Sequence, residues 1–357
     1  MLYSPINQGA LVGSANLAIN GPRAMPWRGS DHLIVKTVAV VVAIVLSAIS
    51  SQGEAAELTL VKKIGVSNSQ SINWTSFVSF SPDGTMVVSD RDDRDGSSSF
   101  SFWSFPSGRL IKTEHGNLKA LSKNWRYYLS NDSIVERKTG KSVMTVATGA
   151  SGEFSQRGNY FAELLPDKDS HGAKIRIVNV AGAIQVSAFD SHSPFSVAFS
   201  PDDKTIAAGH WDSVKLWNAR TGKRLAVLRG FGRYVTSIAF SPDGKRLAAG
   251  TDSGGMKIWD VRRHRLLYSI KLDGQYVSTP AFTPDGKKLA VGTYGSGTAW
   301  VINVDTGKIA DHVKVSDLGC GSTAFSPDGR YLITPSTGGL ITWPYDEPGA
   351  IRVFRVN

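Results

Sequence analysis

The stretch Phe240-Ser-Pro-Asp-Gly244 (FSPDG) occurs three times in this 357-residue chain, at 80–84, 240–244 and 325–329, with FTPDG at 282–286 and FSPDD at 199–203. Its residue types specify a tight turn after a buried strand. Phe ends the strand, Pro presets the backbone angle of the second turn position, Asp bonds back to the turn amides, and Gly accepts a positive φ. Asp203 fits the Gly slot because Asp is among the few residues that tolerate the left-handed region. Two weaker copies, LSKNW at 121–125 and FSQRG at 154–158, fill the long gap. The copies start at 80, 121, 154, 199, 240, 282 and 325, with intervals of 41, 33, 45, 41, 42 and 43 residues. A period near forty with several short strands in each predicts an all-β chain: a seven-bladed β-propeller of four-stranded antiparallel blades.

The unit at 234–272 divides into an innermost strand Tyr234–Phe240, a second Arg246–Thr251, a third Met256–Val261 and an outermost Leu266–Leu272, each bounded by turn residues. Apolar residues on both faces of the inner strands imply blades packed on either side. The small run Leu247-Ala-Ala-Gly250, with Ile206-Ala-Ala-Gly209 and Leu289-Ala-Val-Gly292, suits a narrow wedge where neighbouring sheets approach closely.

Residues 57–357 resemble the WD-repeat propeller family. The resemblance rests on the turn pentapeptide and on the third-strand endings Lys215-Leu-Trp-Asn218, Lys257-Ile-Trp-Asp260 and Ile341-Thr-Trp-Pro344, with Phe102-Trp-Ser104 in the first unit. Only Trp259-Asp260 is a literal WD dipeptide, and Gly230-Phe231 stands where the family has Gly-His, so the family's His-centred hydrogen-bond network is expected to be absent. Two segments compete to complete the last blade. Residues 350–356 lie where an outer strand would follow Trp343, and residues 57–66 also read as a strand; either would cover an open sheet edge.

Residues 1–56 read as a leader. Arg23, Arg28 and Lys36 precede an uncharged apolar run at 37–49, and the small and polar SSQGEAAE follows. This is the pattern of an export signal, with cleavage after Ala48-Ile-Ser50 or near Ala55-Ala56. The alternative is a retained membrane anchor over residues 33–49, with the propeller outside the cytoplasm. Met25 gives a more ordinary leader than Met1. With 36 Gly and 15 Pro, the remainder has the composition of one large turn-dense domain. A single cysteine, Cys320, excludes an internal disulfide and reads as a small packed residue.

The motifs with chemical overtones resolve into turns. TDSGG at 251–255 has the residues of a serine-protease loop but lies between a second and a third strand, where Asp, Ser and Gly are ordinary turn residues. DRDDRDG at 90–96 has alternating oxygen ligands, yet Arg91 stands at the first calcium position and Phe102 where a bidentate Glu is needed, so a solvated charged loop is expected. The seven His residues show no close metal-ligand spacing. No catalytic, cofactor or metal residue is assigned.

Two surfaces remain as binding candidates. His210, Trp211, Tyr234, Tyr276 and Tyr294, with Arg91 and Asp93, fall in loops expected to surround one channel mouth, and aromatic rims suit ligand or peptide binding. On the opposite turns lie Lys245, Arg246, Arg262, Arg263, Arg265, Lys287 and Lys288. The leader holds three basic and two acidic residues, so +9 of the formal +10 falls on the rest of the chain. A net positive face attracts an acidic protein or an anionic envelope component. Nucleic acid is not expected as a partner of an exported chain. The expected function is a non-catalytic protein-binding or assembly scaffold, and the alternative is a hydrolase or lactonase with its site at the channel mouth.

Overall fold

The computed structural model describes residues 58–64, 75–92, 97–148, 151–165, 174–182, 184–190, 194–317, 319–337 and 350–357, all within Ala56–Asn357. The leader, Asp93, and Ile341 to Pro344 lie outside the described residues. The described residues form antiparallel β-sheets and contain no helix. The pairing follows the sequence: each four-stranded sheet is built from four consecutive strands, as in Val78–Phe80, Met86–Asp92, Ser98–Ser104 and Leu110–His115. This architecture is consistent with a propeller.

The divided unit matches its expected strands to within one residue, with one addition. Arg224–Phe240 is a single 17-residue strand that serves one four-stranded array as its outermost member and the next as its innermost, merging the two into a seven-stranded sheet. Gly230 and Gly232, both at positive φ, let the strand swing between them. Phe231 turns inward there and stacks on Trp259, with ring centroids 6.1 Å apart. The indole Nε1 of Trp259 is buried without a hydrogen-bond partner, so at this unit stacking replaces a polar network.

The last sheet decides the order of the two candidate strands. Ile351–Val356 is not the outer strand: it pairs with Tyr331–Thr337 on one side and with Leu58–Ile64 on the other. The N-terminal strand is therefore outermost, running from Leu58 opposite Val356 to Ile64 opposite Ile351. Both candidate strands are used, because a third and a fourth place had to be filled. Ile64, Ile351 and Val353 join Val78, Phe80 and Val87 of the first sheet in one buried cluster, so this pairing also packs the two ends of the repeat array against each other.

The pentapeptide turns form as their residues dictate. The Gly-slot residue has φ between 56° and 75° in all seven copies, including Asp203 and, in LSKNW, Trp125. In six copies the Asp, or Asn124, accepts the amide two residues on, at 3.0 to 3.1 Å. The Ser or Thr hydroxyl before it donates to the same oxygen, and the Ser81 hydroxyl and the Thr85 amide hold the Asp83 carboxyl at about 2. A left-handed Trp costs about 1–2 kcal/mol. Trp125 tolerates this because it is buried and packs against Phe102, and a buried Trp is worth about 3–5 kcal/mol over Ala. Successive turns also touch. A β-carbon on Gly244 would lie 3.4 Å from Cδ of Pro201, and one on Gly329 3.6 Å from Cδ of Pro284.

The small-residue runs mark the closest approach between sheets. A β-carbon on Gly250 would stand 2.5 Å from Oγ of Ser237 and 2.6 Å from Cβ of Val277 in the next sheet. Gly209 meets the Val235 carbonyl and Gly292 meets Cys320 in the same way. Cys320 is fully buried, its Sγ 2.8 Å from the Thr334 hydroxyl, and burial pushes its thiol up to about 12. Gly250→Ala is expected to lower the unfolding free energy by about 1–3 kcal/mol through overpacking, read from urea denaturation; a loss under about 0.5 kcal/mol would show that the sheets are not held this close.

Candidate functional site

The inner strands lie side by side. Val78–Phe80 adjoins Ala324–Phe325, which adjoins Ala281–Phe282, and contacts continue through the inner half of Arg224–Phe240 to Ser196–Phe199, Ser151–Phe154 and Leu118–Leu121. A cavity of about 700 Å³ has residues from every one of these strands in its wall. A second cavity of about 780 Å³ is walled by strand ends and loops at one end, among them Tyr276, Tyr294, Asp90 and Asp92.

The rim is built from strand ends and the short turns between them. Trp211 and Tyr234, expected in loops, are on strands instead: Trp211 and Asp212 open the strand Trp211–Asn218, where Trp211 pairs with Tyr234 of Arg224–Phe240. The bend there is closed by the His210 amide on the Ser213 carbonyl at 2.8 Å, with Asp212 at φ 56°. This bend leaves Trp211 55 % exposed, where it meets Tyr234 edge-on at 4.8 Å; Phe195 also meets Tyr234, at 4.6 Å. The Tyr294 amide donates to the Tyr276 carbonyl, and the Gln275 amide to the Tyr294 carbonyl, tying two loops together. Tyr276 is 51 % exposed. Tyr294 is half-buried, and its phenol is held above the usual tyrosine range by burial, with Cys320 and Asp90 adding.

Other rim expectations change. His210 is buried and faces Trp217, behind the rim rather than on it, because the turn that exposes Trp211 points the preceding residue inward. The charged loop at 90–96 does not begin as a solvated loop. Asp90 and Arg91 belong to the strand Met86–Asp92, and Asp90 is buried. Its carboxylate accepts the Ser76 amide and hydroxyl and the Phe77 amide at 2.6 to 2.8 Å, which makes burial tolerable. Desolvation still raises its pKa, against those hydrogen bonds. Arg91 is half-buried. Among the described residues no three His, Cys, Asp or Glu side chains are grouped to hold a metal.

The basic turns are unequal. Arg262, Arg265 and Lys287 are exposed. Arg246 instead donates to the Val304 carbonyl and Asp305, both at 2.7 Å, Arg263 pairs with Asp260 at 3.0 Å, Lys245 lies 3.5 Å from Asp243, and Lys288 reaches the Asn357 carbonyl at 2.9 Å. Part of the expected face is thus internally neutralised.

Two features were absent from the sequence reading. Phe195, directly before its inner strand, completes the aromatic cluster. Glu153 is in the wall of the 700 Å³ cavity, and aligning the units exposes it: the residue before each turn's leading position is Ser79, Ala120, Glu153, Ala198, Ala239, Ala281 and Ala324. Desolvation there pushes its pKa up from 4.5 to about 7, opposed by Lys123.

Against the collected family models, residues 184–218 and 222–260 match the WD domain, G-beta repeat. The matched residues hold the literal Trp259-Asp260 and the Trp217 ending of the unit before it, and this part of the chain is WD-repeat-like. WD domains of this kind generally mediate protein–protein interaction. No curated protein matches the chain.

Glu153 makes stability pH-dependent. Below about pH 4.5 it is protonated in both folded and unfolded chains; as pH rises to about 7 the unfolded chain releases its proton first, so folding loses up to about 3 kcal/mol, and nothing further is lost above. Glu153→Gln is therefore expected to raise stability by about 1–3 kcal/mol at pH 8 and to change it far less at pH 4.5, measured as the difference between paired denaturation curves. Equal effects at both pH values would refute the shifted carboxyl.

Proposed function

We propose that residues 57–357 form a seven-bladed propeller, exported from the cytoplasm, that serves as a non-catalytic scaffold and binds a protein partner at its aromatic rim. Support for the blade count comes from seven turn copies, from neighbouring turns in contact, and from a cavity with every inner strand in its wall. Support for export is the apolar run at 37–49 with its basic and small-residue flanks.

The observation that carries the binding role is the ring cluster of Phe195, Trp211 and Tyr234, with Tyr276 exposed in the next unit, all more than a third exposed and held on strands and turns fixed by backbone hydrogen bonds. Large exposed aromatics are costly on a surface that meets only water, and they are the residues that anchor protein interfaces. Fixed loops lose little entropy when a partner docks. The mechanism is rigid display, with the buried sheets as the frame.

A photo-crosslinking residue in place of Trp211 is expected to give one discrete protein adduct in cells. The combined change Trp211→Ala, Tyr234→Ala and Tyr276→Ala is expected to weaken that partner at least about tenfold with an unchanged melting temperature. Absence of any adduct, or full affinity in the triple variant, would refute the rim. Export has its own test: the mass of the purified protein is expected to place the mature N-terminus between residues 51 and 57, whereas an intact chain recovered with membranes would establish the anchor instead.

A further inference from the structure

The large apolar residues exposed among the described residues fall into two chemical groups. The aromatic ones stand at the rim. The aliphatic ones include Leu110, Leu225, Leu266 and Ile309, between 37 and 49 % exposed, each at the start of an outermost strand. Each directly follows a basic residue, in the pairs Arg109-Leu110, Arg224-Leu225, Arg265-Leu266 and Lys308-Ile309. Those four cations are exposed too, and none is in an ion pair among the described residues.

The pairing registers put three of the aliphatic residues at one level. Leu110 lies opposite Trp103, Leu266 opposite Trp259, and Ile309 opposite Ile302. In the fourth sheet the pair is shifted by one, with Arg224 opposite Trp217. Equivalent register in separate sheets means equivalent height, so the pairs recur around one end of the molecule, the end remote from the aromatic rim. The turn carboxylates Asp243, Asp285 and Asp328 share this end. They stand on the inner-strand side of each sheet, bound to their own turn hydroxyls and amides.

We infer that this end is a contact surface for an anionic lipid bilayer. The inference rests on the propeller arrangement proposed above and is independent of any partner at the rim. Exposed Leu and Ile at sheet edges run against solubility and edge protection, which call for polar residues there. A cation beside each aliphatic side chain is the composition of a surface that dips apolar groups into the headgroup boundary while its charges meet lipid phosphates. Repetition of one pair in several sheets fits a target that is flat and laterally uniform. A folded acidic protein would ask for an irregular, one-sided patch instead. The formal charge of +10 assists the approach.

The test uses the full chain with a single environment-sensitive dye on Leu266→Cys or, separately, on Ile309→Cys; Cys320 is fully buried and does not compete for label. A dye on Trp211→Cys reports the opposite end. With vesicles holding about 30 % phosphatidylglycerol in phosphatidylcholine, both outer-strand dyes are expected to shift to the blue and to lose iodide quenching at least about threefold, an effect weakened by about 0.5 M salt. Pure phosphatidylcholine is expected to leave them unchanged, and the Trp211 position is expected to stay silent throughout. Comparing lipid compositions at a fixed position separates this contact from any insertion of the leader. No response at either outer position, an equal response at Trp211, or a response to soluble polyglutamate with none to vesicles would overturn the inference, the last in favour of an acidic protein. The crosslink at Trp211 stands or falls separately, so failure here leaves the rim untouched.

Discussion

Neighbouring sheets approach so closely at their inner ends that a β-carbon does not fit between them. Gly209, Gly250 and Gly292 each lie against the backbone or side chain of the next sheet, and Ala207, Ala208, Ala248, Ala249 and Ala290 fill the adjoining positions with minimal volume. Shorter spacing on the inside forces the sheets to diverge outward. There the space is taken by Trp217, Trp259 and Trp300, whose rings pack in the clusters between sheets. The graded side-chain volume, small within and large without, therefore sets the wedge shape of each unit and leaves the loops little freedom.

What is local in the chain was legible in the sequence. Turn geometry follows from five adjacent residues, so even Asp203 and the degenerate LSKNW copy form the expected turn. What depends on distant partners was not. The order of the last sheet turns on residues at opposite ends of the chain, and the two strand-like segments carried no sign of which lies outside. Asp90 looked like a loop charge because nothing near it announces the Ser76 and Phe77 amides that receive it. His210 looked like a rim residue because the turn that hides it also exposes its neighbour. Glu153 was legible after all, as the one ionisable residue at a position otherwise held by Ala or Ser; units have to be aligned with each other before such an exception appears. The pair Glu163 and Arg176 is another such case: two consecutive strands place them opposite each other, with Glu163 fully buried and its second oxygen held by the Ala147 amide.

The two ends of the molecule differ in kind. At one end, aromatic rings meet edge to edge beside a cavity whose wall contains the carboxylates Asp90 and Asp92 and the hydroxyls of Thr236 and Ser237, which bond to no protein atom. At the other, aliphatic side chains alternate with cations, and tight turns bind their own carboxylates.

The pairing of Leu58 with Val356 sets an order on biosynthesis. The first described strand pairs with the last, 298 positions later, so its partner is among the final residues to be made. Closing such a long span costs entropy before any contact compensates, which makes assembly slow and leaves a sheet margin open to wrong neighbours meanwhile. Two basic residues, Lys62 and Lys63, lie on that strand, and a charged margin pairs poorly with another chain.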